Sequence, residues 1–269
     1  MSVPTQSPLH GRVAVVTGAS RRAGIGFAVA RRLLHLGAAV CVHTFTAHDA
    51  GQAWGADPLG VDGVVAALAA DGGRVEHVAA DFADPAAPAA VIAAARAALG
   101  HIDILIVNHA RSGRGGLAEL DARHIDAFLH ENVRAALLLV KEYAAQHDGR
   151  EGGRVVLLTS GQHLGPMPGE IAYAVSKGAL QQATATLSDA LIDRGITVNA
   201  VNPGPTDTGW EIRDWDPRPA MPRGRWGMPD DAARLIAWLC TDDATWMTGQ
   251  VLDSEGGFRR SASLPRRHT

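Results

Sequence analysis

Little in this chain points to a secreted, membrane-spanning or metal-dependent protein. Cysteine is nearly missing: two residues in 269, Cys41 and Cys240, each inside an apolar run. Two such thiols make no disulfide framework and read as buried, reduced side chains, as expected of a cytoplasmic protein. The polar stretch 1–10 lacks a signal-type apolar segment, and no apolar run is long enough to span a bilayer. Excess charge is lacking as well. A net charge of −3 gives nucleic acid or an anionic membrane nothing to hold, so neither is expected as a partner. The twelve histidines show no metal-ligand clustering with cysteine or acid, so no metal is expected. The arginine pairs 259–260 and 266–267 read as a solvated tail. There is no internal repeat and no long low-complexity linker.

What the chain does have is alternation. With 46% apolar residues it can bury one large core, so a single domain over residues 1–269 is expected, with flexible tails at 1–10 and 259–269. Apolar, β-branched runs predict strands at 12–17, 39–43, 75–80, 102–107, 153–159, 196–201 and 250–252. Ala- and Leu-rich stretches between them predict helices at 26–36, 61–70, 88–99, 125–146, 173–194 and 230–239. Such alternation, with near-continuously apolar strands, means an α/β fold with a parallel sheet covered on both faces. Ligands of these sheets bind beyond the carboxyl ends of the strands. The conspicuous residues fall there: Gly18, residues 43–46, Asp81, Asn108, Ser160 and Pro203.

Residues 17–26, Thr-Gly-Ala-Ser-Arg-Arg-Ala-Gly-Ile-Gly, follow the first strand and open the first helix. Gly18, Gly24 and Gly26 permit a tight turn and a close approach of backbone to a pyrophosphate, and the helix start adds free N–H groups. The plain alternative is a glycine-rich turn that binds nothing. The end of the second strand then bears on cofactor choice. An acid there bonds a ribose 2′-hydroxyl, but this chain offers His43, Thr44, Phe45 and Thr46, and no carboxylate before Asp49. Arg21 and Arg22 carry the planar fork that recognises phosphate. NADP is therefore favoured over NAD. The competing arrangement leaves both arginines in solvent and swings Asp49 back to the ribose.

Tyr173 and Lys177 stand one helical turn apart, on one face. A phenol with a pKa of about 10 is a poor base at neutral pH, and a neighbouring ammonium lowers that value. The pair would then give and take a proton in carbonyl–alcohol chemistry. The spacing also arises by chance in ordinary helices.

Taken together, the glycine loop, Ser160, Tyr173-x-x-x-Lys177 and Asn199-Ala-Val-Asn-Pro-Gly204 resemble the short-chain dehydrogenase/reductase family, and most of all its β-ketoacyl carrier-protein reductase-like members. The likeness runs from Gly11 to Phe258. It implies a Rossmann-type doubly wound fold of about seven parallel strands. It implies Tyr173 as acid/base, with Lys177 lowering its pKa and holding the nicotinamide ribose. Ser160, thirteen residues before the tyrosine, would bond the substrate oxygen. Asn132 would anchor a water-linked proton relay through Lys177. Asp81 and Phe82 would meet the adenine, and Asn108 and Ala110 would flank the cofactor. Pro203, Gly204 and Thr208 would line the nicotinamide. Ser20, Ile25, Thr44 and Thr206 complete the candidate cofactor set. The implied activity is an NAD(P)-dependent interconversion of a ketone and a secondary alcohol, in a homotetramer or homodimer joined through the two long helices. A dinucleotide-binding regulator or an epimerase on the same scaffold is the alternative. Structural roles also remain open: Ser160 as a strand-end cap, Asn132 as an exposed helix residue and Thr208 as a loop hydroxyl.

Three departures from the family pattern stand out. Five residues, not three, separate Gly18 from Gly24, so the turn must bulge. The usual glycine three places after Asn108 is Arg111, which either enters the substrate cleft and takes an anionic group or points outward on a shifted loop. The stretch 47–61 is longer than usual and carries Trp54. Residues 207–228, rich in tryptophan and proline, read as a substrate lid. His163, Met167 and Trp210 are expected near the substrate by position.

Overall fold

The computed structural model describes residues 7–70, 72–209 and 216–261. Seven apolar runs form seven strands: β1 (Val13–Val16), β2 (Ala39–Thr44), β3 (Val75–Ala79), β4 (Ile104–Val107), β5 (Gly153–Leu158), β6 (Ile196–Asn202) and β7 (Val251–Asp253). They pair in the order β3-β2-β1-β4-β5-β6-β7, and every neighbouring pair is parallel. Side chains alternate across the pleat. Ala14, Val16, Val40, Val42, Ile104 and Ile106 enter one apolar cluster, while Val13, Val15, Cys41, Leu105 and Val107 enter the other.

Helices cover both faces: α1 (Ile25–His35), α2 (Thr46–Ala50), α3 (Gly60–Ala69), α4 (Ala87–Leu99), α5 (Ala122–Phe128), α6 (Ala135–Gln146), α7 (Ile171–Leu191) and α8 (Pro229–Leu239). The first cluster takes Phe27, Val29 and Leu33 from α1 and Ile236 from α8; the second takes Val91 from α4, Leu139 from α6 and Leu180 from α7. This is the doubly wound sheet expected from the alternation. Strand order reverses direction at β1, whose neighbours are β2 and β4, the place where ligands of such sheets bind.

Several expectations are corrected. The long helix expected over 125–146 is three pieces, with a π-helical turn at Leu129–Arg134 between α5 and α6. Periodicity could not show this, because one inserted residue of winding leaves the apolar spacing nearly intact. The long stretch after β2 contains α2, which was not expected. The last strand is shifted by one residue from 250–252. Residues 7–10 and 259–261 are not free tails. Leu9 is fully buried and its N–H donates to Leu36 O at 2.8 Å, while the Arg259 N–H donates to Ala220 O at 2.8 Å. Arg260 is not solvated but ion-paired with Glu255. Cys41 and Cys240 are buried free thiols, and burial pushes both up to about 12. Among the described residues, no helix is long and apolar enough to cross a membrane.

Candidate active site

At the carboxyl ends of the strands lies a cleft of about 820 Å³. The loop after β1 forms its floor. Gly18 has φ +69°, and a Cβ there would sit 2.7 Å from His109 Cα. A Cβ on Gly26 would sit 2.5 Å from Gly18 O, so α1 can lie this close to the loop only with glycine at that place. Asn108 stitches β4 to the same loop, its Nδ2 donating to Thr17 O and Gly18 O at 2.9 Å each. Gly24 caps α1 without a side-chain acceptor, which leaves the first N–H groups of the helix available to an anion.

The extra loop residues turn at Arg21, whose carbonyl accepts from the Gly24 N–H at 3.0 Å. That turn sends the two arginines apart. Arg21 lines the cleft. Arg22 does not: its backbone N–H donates to Asp57 Oδ2 at 2.9 Å and its Nη2 to Asp57 Oδ1 at 2.8 Å. The expectation of Arg22 at the cofactor is corrected accordingly. Thr44 is corrected as well. It is fully buried and its hydroxyl hydrogen-bonds His77 Nε2 at 2.7 Å, so Phe45 and His43 present the end of β2 to the cleft. Ser20 lines the cleft and its hydroxyl accepts from the Phe45 N–H at 3.0 Å.

A stack of rings that the sequence did not disclose lies beside the loop. His43 stacks on Phe82 with centroids 4.1 Å apart, and Phe82 lies 4.3 Å from His109. His43 Nε2 donates to Ala80 O at 3.0 Å and its Nδ1 accepts from the Gly18 N–H at 3.2 Å. Burial pulls the His43 pKa down to about 4. Burial also holds His109 well below its ordinary value, helped by the nearby Lys177 ammonium. Both rings are therefore neutral, and they act as shape and hydrogen-bond partners for the loop. Asp81 reaches the cleft wall next to Phe82.

Across the cleft, Ser160 and Tyr173 line one wall, and the Tyr173 ring lies edge-on to Phe128 at 6.4 Å. Lys177 Nζ is buried behind them, donating to Leu158 O at 2.8 Å and sitting 5.9 Å from the Tyr173 ring centroid. The expected depression of the phenol is not found. Burial raises Tyr173 to about 12, with Ser160 opposing and Glu170 adding, while burial lowers Lys177 to about 8. Desolvation wins because the ammonium spends its direct bond on a carbonyl and not on the phenol.

Asn132 sits in the π-helical turn and is buried. Its Oδ1 accepts from the Arg111 N–H at 2.7 Å, and its Nδ2 donates to Arg111 O and to Ser176 Oγ at 2.9 Å each. The Asn132 side chain thus holds the loop after β4 against α7 at Ser176, the residue before Lys177. Arg111 does line the cleft, but its Nη1 donates to Glu131 Oε1 at 2.6 Å, so its charge is already partnered.

Ile25, Ala110, Met167, Pro203, Gly204, Thr206 and Thr208 all line the cleft. His163 does not: its Nε2 pairs with Asp253 Oδ1 at 3.2 Å. Trp210 lies outside the described residues. Trp226, in the segment read as a lid, lines the cleft, and so do Glu255, Phe258 and Arg260, which were not expected there. A Cβ at Gly161 would lie 2.2 Å from Arg260 Nη2, so the chain after β7 packs directly on the loop after Ser160. Its position just beyond the carboxyl end of a parallel strand was the available signal.

At the other end of the sheet, ligand atoms of His101, His147 and Asp148 lie within 4.8 Å of one another, a grouping the sequence did not show. Asp148 is engaged by both Nε and Nη2 of Arg150, and His147 Nδ1 accepts from the Gly149 N–H.

One prediction follows from the buried ammonium. Between pH about 8, where native Lys177 loses its proton, and 10.5, its ordinary value, the unfolded chain binds more protons than the folded one. Stability gains from this group as pH rises through that window, by about 3 kcal/mol in total. Urea unfolding of the wild type and Lys177→Met at pH 7.5 and pH 10 should show the wild type gaining on the variant. Parallel pH profiles would contradict the burial of a charged Lys177.

Comparison with known proteins agrees with this geometry. Residues 18–259 match a family model described as enoyl-(acyl carrier protein) reductase. The oxidoreductase YjdA of Bacillus subtilis is 41% identical over 93% of this chain and 97% of its own length. A short chain dehydrogenase from Burkholderia cenocepacia, solved in complex with NADP, superposes with a TM-score of 0.82 at 35% identity, over 93% of this chain and 98% of that one. A blue fluorescent protein from a metagenomic library, in complex with NADPH, gives 0.81 at 32% identity over the same shares. On these matches and this sheet, the chain belongs to the short-chain dehydrogenase/reductase family of oxidoreductases.

Proposed function

We propose that the protein is an NADP-preferring carbonyl reductase that interconverts a ketone and a secondary alcohol, with Tyr173 as its acid/base. The observation that carries this reading is the placement of Ser160 and Tyr173 on one wall of the cleft, with Lys177 buried behind them. The glycine loop, the free start of α1, Arg21, Asp81 and Phe82 form a trough suited to a dinucleotide. Solved relatives hold NADP or NADPH. When bound, the nicotinamide supplies the hydride.

The protein's own residues then handle an oxygen and a proton. Ser160 and Tyr173 present two hydroxyls to one point, where the carbonyl oxygen gathers negative charge. A phenol held near 12 is protonated at neutral pH, so it is ready to donate to that oxygen as the alcohol forms. Hydride adds to carbon, the phenol proton goes to oxygen, and solvent restores the phenol. Lys177 remains cationic below about 8 and lowers the cost of the transient phenolate. Asn132 keeps α7 and the loop after β4 in register. We read Thr208 as a partner of the nicotinamide carboxamide, and residues 207–228 as a lid. Three intervening residues between Tyr173 and Lys177 favour ketone over enoyl reduction, which in the related family goes with a wider spacing.

Exposed Leu137 on α6 and Val175 on α7 support a homo-oligomer through these helices. Mixing the protein with NADPH and a panel of ketones, and following absorbance of the reduced cofactor, tests the main reading. Turnover of at least one ketone is expected. Binding of NADPH with no turnover of any ketone would favour a regulator.

A further inference from the structure

Two acids from the segment after β2 hold the two arginines of the glycine loop, and the two pairs differ in kind. Asp57 grips Arg22 away from the cleft, through one backbone and two side-chain donors. Asp49, in α2, takes Arg21 inside the cleft. Arg21 Nε donates to Asp49 Oδ1 at 3.1 Å, and the same oxygen accepts from Trp54 Nε1 at 3.2 Å. The guanidinium lies over the Trp54 ring at 5.5 Å and sends Nη1 across to Thr208 O at 2.9 Å. The side chains of Arg21 and Asp49 are only 15% and 13% exposed, and both line the cleft.

The geometry points to Asp49 as an internal competitor for the 2′-phosphate of the cofactor, occupying the guanidinium that the phosphate needs. This rests on the reading that the trough takes NADP. A phosphate dianion arriving at Arg21 gains a bidentate partner. It also meets a carboxylate already bonded to that partner, at a distance where like charges repel strongly in a half-buried site. It must displace Asp49 or share Arg21 with it. A 2′-hydroxyl meets no such penalty, because a carboxylate accepts its hydrogen bond. Asp49 therefore narrows the preference for the phosphorylated cofactor and leaves NAD usable. Asp57 carries the same charge on the same segment, but outside the cleft, and has no such effect.

The test compares adenosine 2′,5′-bisphosphate with adenosine 5′-monophosphate by calorimetry, for the wild type, Asp49→Asn and Asp57→Asn. An Asn at 49 keeps an oxygen for Trp54 and Arg21 and loses only the charge. The expected result is a ratio of affinities, bisphosphate over monophosphate, raised about tenfold in Asp49→Asn and unchanged in Asp57→Asn. A ratio unchanged or lowered in Asp49→Asn overturns the proposal, as does an equal rise in both variants. Those outcomes leave the reductase reading standing if NADPH still binds the wild type. Failure of the wild type to bind either NADPH or NADH removes the reductase reading itself, and this inference with it.

Discussion

Tyr173→Phe is expected to lower kcat for ketone reduction by about 10²–10⁴, the usual contribution of a positioned proton donor. The substitution removes one oxygen and little else. The edge-on contact with Phe128 is made by the ring and survives, and the helix around it is set by Ala172, Ser176 and Leu180, all buried. Stability and NADPH affinity should therefore stay close to wild type. Ser160 alone would then face the carbonyl oxygen, able to polarise it but without the acid. Tyr143 provides the contrast. Its hydroxyl is buried in the core, donating to Asp103 O at 2.7 Å and accepting from the Arg154 N–H at 3.1 Å. Tyr143→Phe should cost about 1–3 kcal/mol in unfolding free energy, from buried polar groups left unpaired, while kcat is kept. Equal activity in Tyr173→Phe and wild type would remove Tyr173 from the chemistry.

Gly26→Ala carries the second large effect, and it acts on binding. The added methyl would lie 2.5 Å from Gly18 O and 2.7 Å from Asn108 Nδ2. The first is backbone and the second is fixed by two hydrogen bonds, so neither yields cheaply. Relief requires α1 to move away from the loop after β1. Overpacking of this kind costs about 1–3 kcal/mol of stability. It also shifts the start of α1, whose uncapped N–H groups would, on the proposed reading, meet the dinucleotide phosphates, so NADPH affinity should fall more than about tenfold. Titration of protein fluorescence with NADPH, alongside urea unfolding, separates the two effects. Wild-type affinity in Gly26→Ala would show that the loop does not hold a pyrophosphate.

These two residues were legible for the same reason: each belongs to a pattern written within a few positions of chain. Tyr173 and Lys177 share one helix, and the glycines share one turn. The parallel sheet was legible too, because apolar strands alternating with helices leave few arrangements. What escaped was set by distance or by burial. Arg22 and Thr44 read as cofactor residues, yet Asp57 and His77 claim them from elsewhere in the chain. Arg260 read as a solvated tail although its ion-pair partner Glu255 stands close by in the chain, because nothing near it discloses that both pack on two glycines of another loop. The phenol was expected below its ordinary value on the strength of a neighbouring ammonium. The structure has it at about 12, because desolvation outweighs a charge that is bonded to a carbonyl.

The most direct test of the central claim follows the hydride itself. NADPH deuterated at the transferring position of its nicotinamide is incubated with the protein and the best ketone of the panel, and the alcohol is analysed by mass spectrometry. The account predicts one deuterium on the carbinol carbon, with alcohol formed in step with NADPH consumed. An alcohol without that label, or cofactor oxidation with no alcohol, would contradict it.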